Sequence, residues 1–275
     1  MAPADLDERT IEGFGIQWTE FTAATGWWGS VEGQFRDQIE PLVQLEAIAG
    51  KHCCDIGSGM GRIVRNLVAA GARHVTALEP SVQAFTTLKA NTVDIADRVT
   101  LIQERGEAVP QDDFDLITCL GVLHHVSDPA PVVRAAHRGL REGGIFLAWL
   151  YGREGNLLYL WCVEPFRYVT RAMPLWALKA LCGILMLITD LYASMCRVLR
   201  LPMASYFTGV YQQFDRNKRF LAIFDQLHTT YAKYYRGAEA RALLEDNGFQ
   251  DVKLHHRKGY SWSVSGIKRP IKPTM

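Results

Sequence analysis

From residue 51 to residue 151, short apolar runs alternate with segments whose apolar positions recur every three or four residues. KHCCDIG reads as a buried strand ending in a glycine turn, and IVRNLVAAGA as the helix after it, stopped by Gly71. HVTALEP, VTLIQE, FDLITCL and IFLAWLY read as further strands. Between them, SVQAFTTLKANTVD predicts a helix capped by Ser81, and DPAPVVRAAHRGLREGG one closed by Gly143 and Gly144. Upstream, Phe35, Ile39, Leu42, Leu45 and Ile48 fall at helical spacing, with Pro41 suited to the helix start and Gly50 to its end. Strands that are apolar throughout and alternate with helices imply a parallel sheet covered on both faces. Ligands of such sheets lie beyond the carboxyl ends of the strands, where strand order reverses.

After Tyr151 the alternation stops, and residues 152–235 read as helical without strands. GAEARALLEDNGF then predicts a helix, and QDVKLHH and YSWSVSG an antiparallel hairpin closing the sheet. The predicted organisation is an N-terminal helical cap over 1–50, a core over 51–151, a helical insertion over 152–235, and a segment over 236–275 that completes the core. A chain that is 48% hydrophobic and 21% charged belongs with folded globular proteins. Its net charge of +1 supplies no basic field, so nucleic acid is not an expected partner. The six cysteines form no C-x-x-C pair, which argues against a zinc site or a disulfide scaffold. MAPADLDERT lacks the apolar core of a signal peptide, so the expected location is the cytoplasm.

The glycine turn, CCDIGSGMGR, narrows the ligand. No G-x-x-x-x-G-K-[ST] phosphate loop is present, and the dinucleotide pattern G-x-G-x-x-G is replaced by Gly57-x-Gly59-x-Gly61 followed by Arg62. Asp55, just before the first glycine, repels phosphate and suits a cation such as the amino group of a bound amino acid. Glu79 follows the second strand at the spacing where a carboxylate reaches ribose hydroxyls. The site therefore wants an adenosine with a free ribose and a cationic tail. S-adenosylmethionine (SAM) meets that description.

The ordered set D-I-G-S-G-M-G-R, T-A-L-E-P-S, D-D-F-D-L-I-T-C-L-G-V-L-H-H-V-S-D-P and L-R-E-G-G-I-F-L-A-W resembles the motifs of class I SAM-dependent methyltransferases of the bacterial small-molecule type, over roughly residues 50–150. The resemblance implies a Rossmann-like α/β fold: a seven-stranded sheet with helices on both faces and an antiparallel last strand, here with a helical insertion after strand five. It also implies methyl transfer from SAM, leaving S-adenosylhomocysteine (SAH). By the same resemblance, Asp55, Gly57, Gly59 and Gly61 match the loop that holds the methionine part, and Glu79 matches the ribose acid. Pro80 and Ser81 match the adenine edge. Arg105 stands where relatives place an acid near the adenine amino group, so Gly106 and Glu107 become the candidates there. Leu120 and Gly121 match the strand end beside the sulfonium. The segment Phe14-Gly15-Ile16-Gln17-Trp18 resembles one that folds over SAM in some relatives, with Gln17 toward the methionine carboxylate and Trp18 closing the pocket. Packing of Trp18 and Phe21 within a helix is the alternative.

Methyl transfer from a sulfonium is an in-line displacement that needs alignment, exclusion of water and, for some nucleophiles, removal of a proton. His124 and then His125 are the candidate proton acceptors, against a hydrogen-bonded structural role for either. His228, Tyr231, Tyr234 and Tyr151 are candidates for the pocket wall. Asp112, Asp113 and Asp115 precede strand four, on the wrong side of the sheet for a catalytic metal, so no metal is expected. The expected activity is methylation of a small apolar or aromatic metabolite, with O-methylation first and N-, S- or C-methylation open. The rivals are a methyltransferase of lipid-like acceptors at a membrane surface, an NAD-dependent oxidoreductase or epimerase, and a non-catalytic SAM-binding subunit.

Residues 175–201 are nearly all apolar, interrupted by Lys179 and Asp190. On a helix, Lys179, Gly183, Met186, Asp190, Ser194 and Arg197 share one face. Three readings stay open for this segment: a lid on the core, a homodimer interface, or a peripheral membrane helix supported by Arg167, Arg171, Arg197 and Arg200.

Overall fold

The computed structural model describes residues 3–170 and 172–270; Arg171 lies outside the described residues. The apolar runs form β1 (His52–Ile56), β2 (His74–Leu78), β3 (Val99–Ile102), β4 (Phe114–Leu120) and β5 (Leu140–Tyr151). The C-terminal hairpin is β6 (Gln250–Arg257) and β7 (Ser261–Ile267). One seven-stranded sheet results, in the order β3-β2-β1-β4-β5-β7-β6. β1 to β5 run parallel, and β7 is antiparallel to both β5 and β6. Strand order reverses between β1 and β4, so the turns leaving these two strands open onto the same crevice.

The helices are α1 (Pro3–Glu20), α2 (Gly26–Gly29), α3 (Arg36–Ile39), α4 (Arg62–Ala69), α5 (Val82–Asn91), α6 (Ala130–Gly139), α7 (Leu157–Thr170), α8 (Leu175–Met195), α9 (Ala204–Gly209), α10 (Arg216–His228) and α11 (Gly237–Glu245). One face of the sheet buries Val132, Val133 and Ala136 of α6 with Ala240 and Leu244 of α11. The other buries Val64 and Leu67 of α4, Phe85 and Leu88 of α5, and Phe35, Ile39, Val43 and Ile48 from the N-terminal segment. Phe35, Ile39, Val43 and Ile48 of the N-terminal segment thus pack into the core.

Two boundaries differ from those the sequence predicts. No helix starts at Pro41: α3 stops at Ile39, Pro41 lies in a turn, and the chain re-enters helical geometry only in a 3-10 turn at Leu45–Ile48. The helical spacing is satisfied by two separate turns that present Ile39 and Ile48 to the same cluster. In the second case, α6 ends at Gly139, and Leu140, Arg141, Glu142, Gly143 and Gly144 already belong to β5. Gly143, at φ 77, makes the irregularity that brings Ile145 into register with Leu116.

The insertion leaves and rejoins the core at one point. Arg153 N–H donates to the Tyr235 carbonyl and Tyr235 N–H to the Tyr151 carbonyl, each at 2.8 Å. Within it, α8 packs Leu178 and Cys182 against Phe224 and Leu227 of α10. Val210, Tyr211 and Phe214 reach the core at Trp28 and Met60, the latter a residue of the glycine turn. The two charged positions of α8 face the protein: Lys179 pairs with Glu20 at 2.8 Å, and Asp190 takes Arg219 at 3.1 Å and the Tyr211 hydroxyl at 3.0 Å.

Candidate active site

The turn after β1 is fastened to the end of β2. The Gly57 and Ser58 amides donate to the Leu78 carbonyl at 2.9 Å, and the Gly59 amide donates to Glu79 at 2.8 Å. The second Glu79 oxygen accepts the Ser81 amide at 2.9 Å. Burial pushes the Glu79 carboxyl above its ordinary range, and these two amides pull it back toward ionisation. Gly57 sits at φ 71, and a Cβ there would lie 2.5 Å from Val122. Gly59 sits at φ 55, and a Cβ there would lie 2.9 Å from the Trp18 indole nitrogen. Only glycine at both positions lets the loop, the turn after β4 and α1 approach this closely.

These elements enclose a chamber of about 270 Å³ at the switch point of the sheet. Gly57, Gly59, Glu79 and Pro80 form one wall, and Leu120 and Gly121 of the β4 end face them. Gly106 and Glu107 line the end nearest β3, while Gln17 and Trp18 close the top. α1 is clamped over the chamber. Asp7 accepts the Ser127 amide and hydroxyl, each at 2.9 Å, Glu8 pairs with Arg105, and Thr87 Oγ1 donates to the Trp18 carbonyl at 3.2 Å. The Glu8 pairing neutralises Arg105, the base standing where relatives keep an acid.

Asp55, Gly61 and Ser81 do not line the chamber. Ser81 is the N-cap of α5: its Oγ accepts the Ala84 amide at 3.3 Å and donates to Gln83 at 3.1 Å, so its hydroxyl is committed to the helix. Gly61 is the left-handed N-cap of α4, packed toward Leu88. Asp55 lies behind the loop. Thr118 donates to its Oδ1 at 2.7 Å, its Oδ2 is buried without a partner, and burial raises the carboxyl to about 7. An unpartnered carboxylate oxygen behind an amino-acid-sized chamber fits a cationic ligand group, and Glu79 fits a ribose diol.

Gln17 also reaches the insertion. Its Nε2 donates to Asp225 of α10 at 3.2 Å. The other Asp225 oxygen accepts the Tyr151 hydroxyl at 2.8 Å, and Gln226 Nε2 donates to that hydroxyl at 3.0 Å. Gln226 in turn accepts from Tyr159 at 2.7 Å, Tyr234 at 3.0 Å and buried Arg167 at 2.8 Å. Arg167 is thus an internal anchor of α7 rather than a surface base.

His124 and His125 both line the chamber and both are buried. The His124 ring stacks on Tyr151 with centroids 3.8 Å apart, and neither ring nitrogen has a partner at normal hydrogen-bond geometry. Burial, reinforced by His125, holds His124 far below the ordinary imidazole range. His125 is also lowered by burial, and its Nδ1 lies 2.7 Å from the Tyr231 carbonyl, which fixes the ring. Tyr231 reaches the site only through that carbonyl, and His228 lies outside the chamber walls.

A second chamber of about 440 Å³ adjoins the first and lies between the insertion and the core. Gln34, Trp149, Tyr151, Lys218 and Asp225 belong to the walls of both. The remaining wall is largely rings and aliphatic groups, including Phe166, Tyr206, Phe207, Phe214 and Tyr260. Lys218 Nζ lies 4.3 Å from the Trp28 ring centroid, and burial lowers the amine to about 8. Sequence reading alone misses Asp225 and Lys218. They occupy one face of α10 at a spacing of seven, but nothing local marks that face as adjoining residues 57–60. Among the described residues no cluster of three or more His, Cys, Asp or Glu side chains suited to a metal ion occurs.

The family described as "Methyltransferase domain" matches residues 54–148, from β1 to β5. A ubiquinone biosynthesis O-methyltransferase of Escherichia coli is 30% identical over 167 residues, covering 56% of this chain and 68% of that protein. Its counterpart in Sodalis glossinidius is 29% identical over 169 residues, covering 56% of this chain and 66% of that protein. Among solved structures, human N-acetylserotonin methyltransferase in complex with SAM superposes with a TM-score of 0.51 at 15% identity, over 86% of this chain and 51% of that one. That likeness is one of fold, and it spans about half of the human chain. Strand order, the matching domain model and a relative matched over two thirds of its length agree: the chain belongs to the class I SAM-dependent methyltransferases.

Proposed function

We propose that the protein methylates a hydroxyl group on a small, ring-bearing, largely apolar molecule held in the second chamber. The observation that carries this is the shared wall: a ring-lined cavity meets the SAM chamber across Trp149, Tyr151 and Asp225. An apolar ring gains dispersion contacts and leaves water in such a cavity. A hydroxyl at the junction would meet the Asp225 carboxylate, and the Lys218 ammonium on the same helix face favours an ionised oxygen. SAM supplies a methyl carbon already attached to a sulfonium leaving group. The chain's part is to hold the nucleophile in line with that carbon and to keep water out, which α1 and the insertion do from opposite sides. The O-methylation named for the two bacterial relatives supports the choice of oxygen. Radiolabelled SAM and a 4-alkylcatechol should yield the methyl ether. Transfer to an alkylaniline but to no hydroxylated ring would overturn the assignment to oxygen.

A lipid-like acceptor, drawn from a membrane surface, is the second reading, and the outer face of the insertion favours it. Trp161, Trp176, Leu187 and Leu191 are 79%, 75%, 63% and 65% exposed, although Lys179 and Asp190 of α8 are engaged by the body of the protein. So many large apolar side chains exposed on one part of the chain are unusual on a protein that stays in water. α8 is long and apolar enough to cross a membrane, yet its ion pairs with Glu20 and Arg219 tie it along the body of the protein. Cys162 and Phe166 belong to both the exposed face and the wall of the second chamber, so that chamber would open where the lipid lies. Exposed Arg197 and Arg200 follow α8 and suit anionic headgroups. The protein should co-sediment with phosphatidylglycerol vesicles, and the double variant Trp161→Glu, Leu187→Glu should not. Concentration-dependent dimerisation without vesicle binding would replace this reading with a homodimer interface.

A further inference from the structure

We infer that Asp225 is the catalytic proton acceptor, and that its bond to Gln17 latches α1 over the SAM chamber so that base and lid come into place together. The inference rests on the second chamber being the acceptor site. Asp225 belongs to α10 of the insertion, outside the family's core motifs, yet it lines both chambers. Each of its oxygens receives one hydrogen bond, from Gln17 at 3.2 Å and from Tyr151 at 2.8 Å. A carboxylate oxygen has about two acceptor sites, so one on each remains for an acceptor hydroxyl. The histidines are worse placed to take that proton. His125 is pinned to the Tyr231 carbonyl, and His124 is stacked flat on Tyr151 in a fully buried setting.

The step balances. The acceptor O–H bond breaks and its proton goes to Asp225, while an oxygen lone pair forms the bond to the methyl carbon. The carbon–sulfur bond breaks with its electron pair kept by sulfur. A carboxylate and a sulfonium become a neutral acid and a neutral thioether, so the step removes one negative and one positive charge together.

The latch follows from where the partners sit. Gln17 lies on α1, next to Trp18, which packs over Gly59. Tyr151 ends β5, at the hinge where the insertion leaves the core. Asp225 therefore joins three elements that no other side chain joins in this chamber wall among the described residues. The titratable groups whose charge Asp225 influences are Tyr151 of β5, His125 after β4, Tyr206 of α9, Lys218 and His228 of α10, and Tyr234 before α11.

Two variants separate the roles. With 4-alkylcatechol as acceptor, Asp225→Asn should lower kcat roughly 100- to 1000-fold, the usual range for loss of a positioned base. It should also remove the acid limb of the pH–rate profile, while the Asn oxygen still accepts from Gln17, so the latch holds and SAM affinity by calorimetry stays within threefold. Asp225→Glu should restore the acid limb. Gln17→Leu should keep the acid limb but speed hydrogen exchange across residues 10–20 and weaken SAM binding, readouts that need no turnover. An Asp225→Asn enzyme that keeps both its acid limb and a kcat within threefold of wild type overturns the assignment. Unchanged exchange in Gln17→Leu overturns the latch. A wild-type enzyme that turns over no hydroxylated ring overturns the underlying reading of the second chamber, and the base assignment with it.

Discussion

Glu79→Ala should weaken SAM binding roughly 100-fold or more, the largest effect expected of any single change in the SAM chamber. Hydrogen bonds to an ionised group contribute about 1.5–3 kcal/mol each, and a ribose diol supplies two. Loss of about 3 kcal/mol corresponds to about two decades of affinity. The loss extends to the loop, because the Gly59 and Ser81 amides both donate to this carboxylate. Glu79→Gln should fail nearly as badly. An amide side chain keeps one acceptor oxygen and turns an NH₂ group toward the other backbone N–H, where two donors face each other. Calorimetric titration with SAM reads the effect, and thermal unfolding in parallel shows that the variant is folded. Binding within threefold of wild type in both variants would remove Glu79 from the site.

Replacement of Asp55 should change how stability depends on pH. In the folded, ligand-free protein burial raises its carboxyl to about 7, whereas an unfolded-chain aspartate titrates near 3.9. Between these values the folded state binds more protons than the unfolded state, so stability falls as pH rises from about 4 to about 7. Below that window the contribution is fully present, and above it the contribution is lost. A shift of about three pH units corresponds to roughly 4 kcal/mol. Asp55→Asn should abolish this slope, so the variant gains on the wild type as pH climbs. SAM should flatten the wild-type slope if its ammonium comes near the unpartnered Oδ2. Urea unfolding at pH 4.5 and pH 8, with and without SAM, measures all three quantities. Parallel pH dependence in wild type and Asp55→Asn would mean that the carboxyl is solvated and ionised throughout.

The core could be read from the chain because its strands are buried on both faces and so stand out as unbroken apolar runs. Cys53, Cys54, Ile117 and Leu147 are wholly buried, and the two polar residues buried beside them in β1 and β4, Asp55 and Thr118, bond to each other. The glycine spacing and Glu79 were legible because they act locally, within one turn of a strand end. Ser81 shows the limit of that locality. Its neighbours Glu79 and Pro80 face the chamber, but its own hydroxyl turns back to cap α5. Pro41 shows another, since helical spacing of apolar residues is equally served by two short turns around a non-helical residue.

The second chamber was not legible. Asp225 and Lys218 owe their position to the packing of α10 on α8 and on Trp28, more than 150 residues from the glycine turn in the chain. No period in the insertion distinguishes their face of α10 from a solvated one. The outer face of α8 was legible as apolar but not as exposed: which side of an amphipathic helix meets the core was decided by Glu20, Arg219 and Tyr211, all distant in sequence.

Whether the two chambers hold donor and acceptor on either side of Tyr151 and Asp225 can be seen in a crystal structure of the protein with SAH and a 4-alkylcatechol. SAH should lie along the glycine turn, its ribose on Glu79 and its sulfur facing the junction, with the catechol ring in the second chamber and a hydroxyl on Asp225. SAH bound away from Glu79, or a catechol ring seated anywhere but the second chamber, would refute this arrangement.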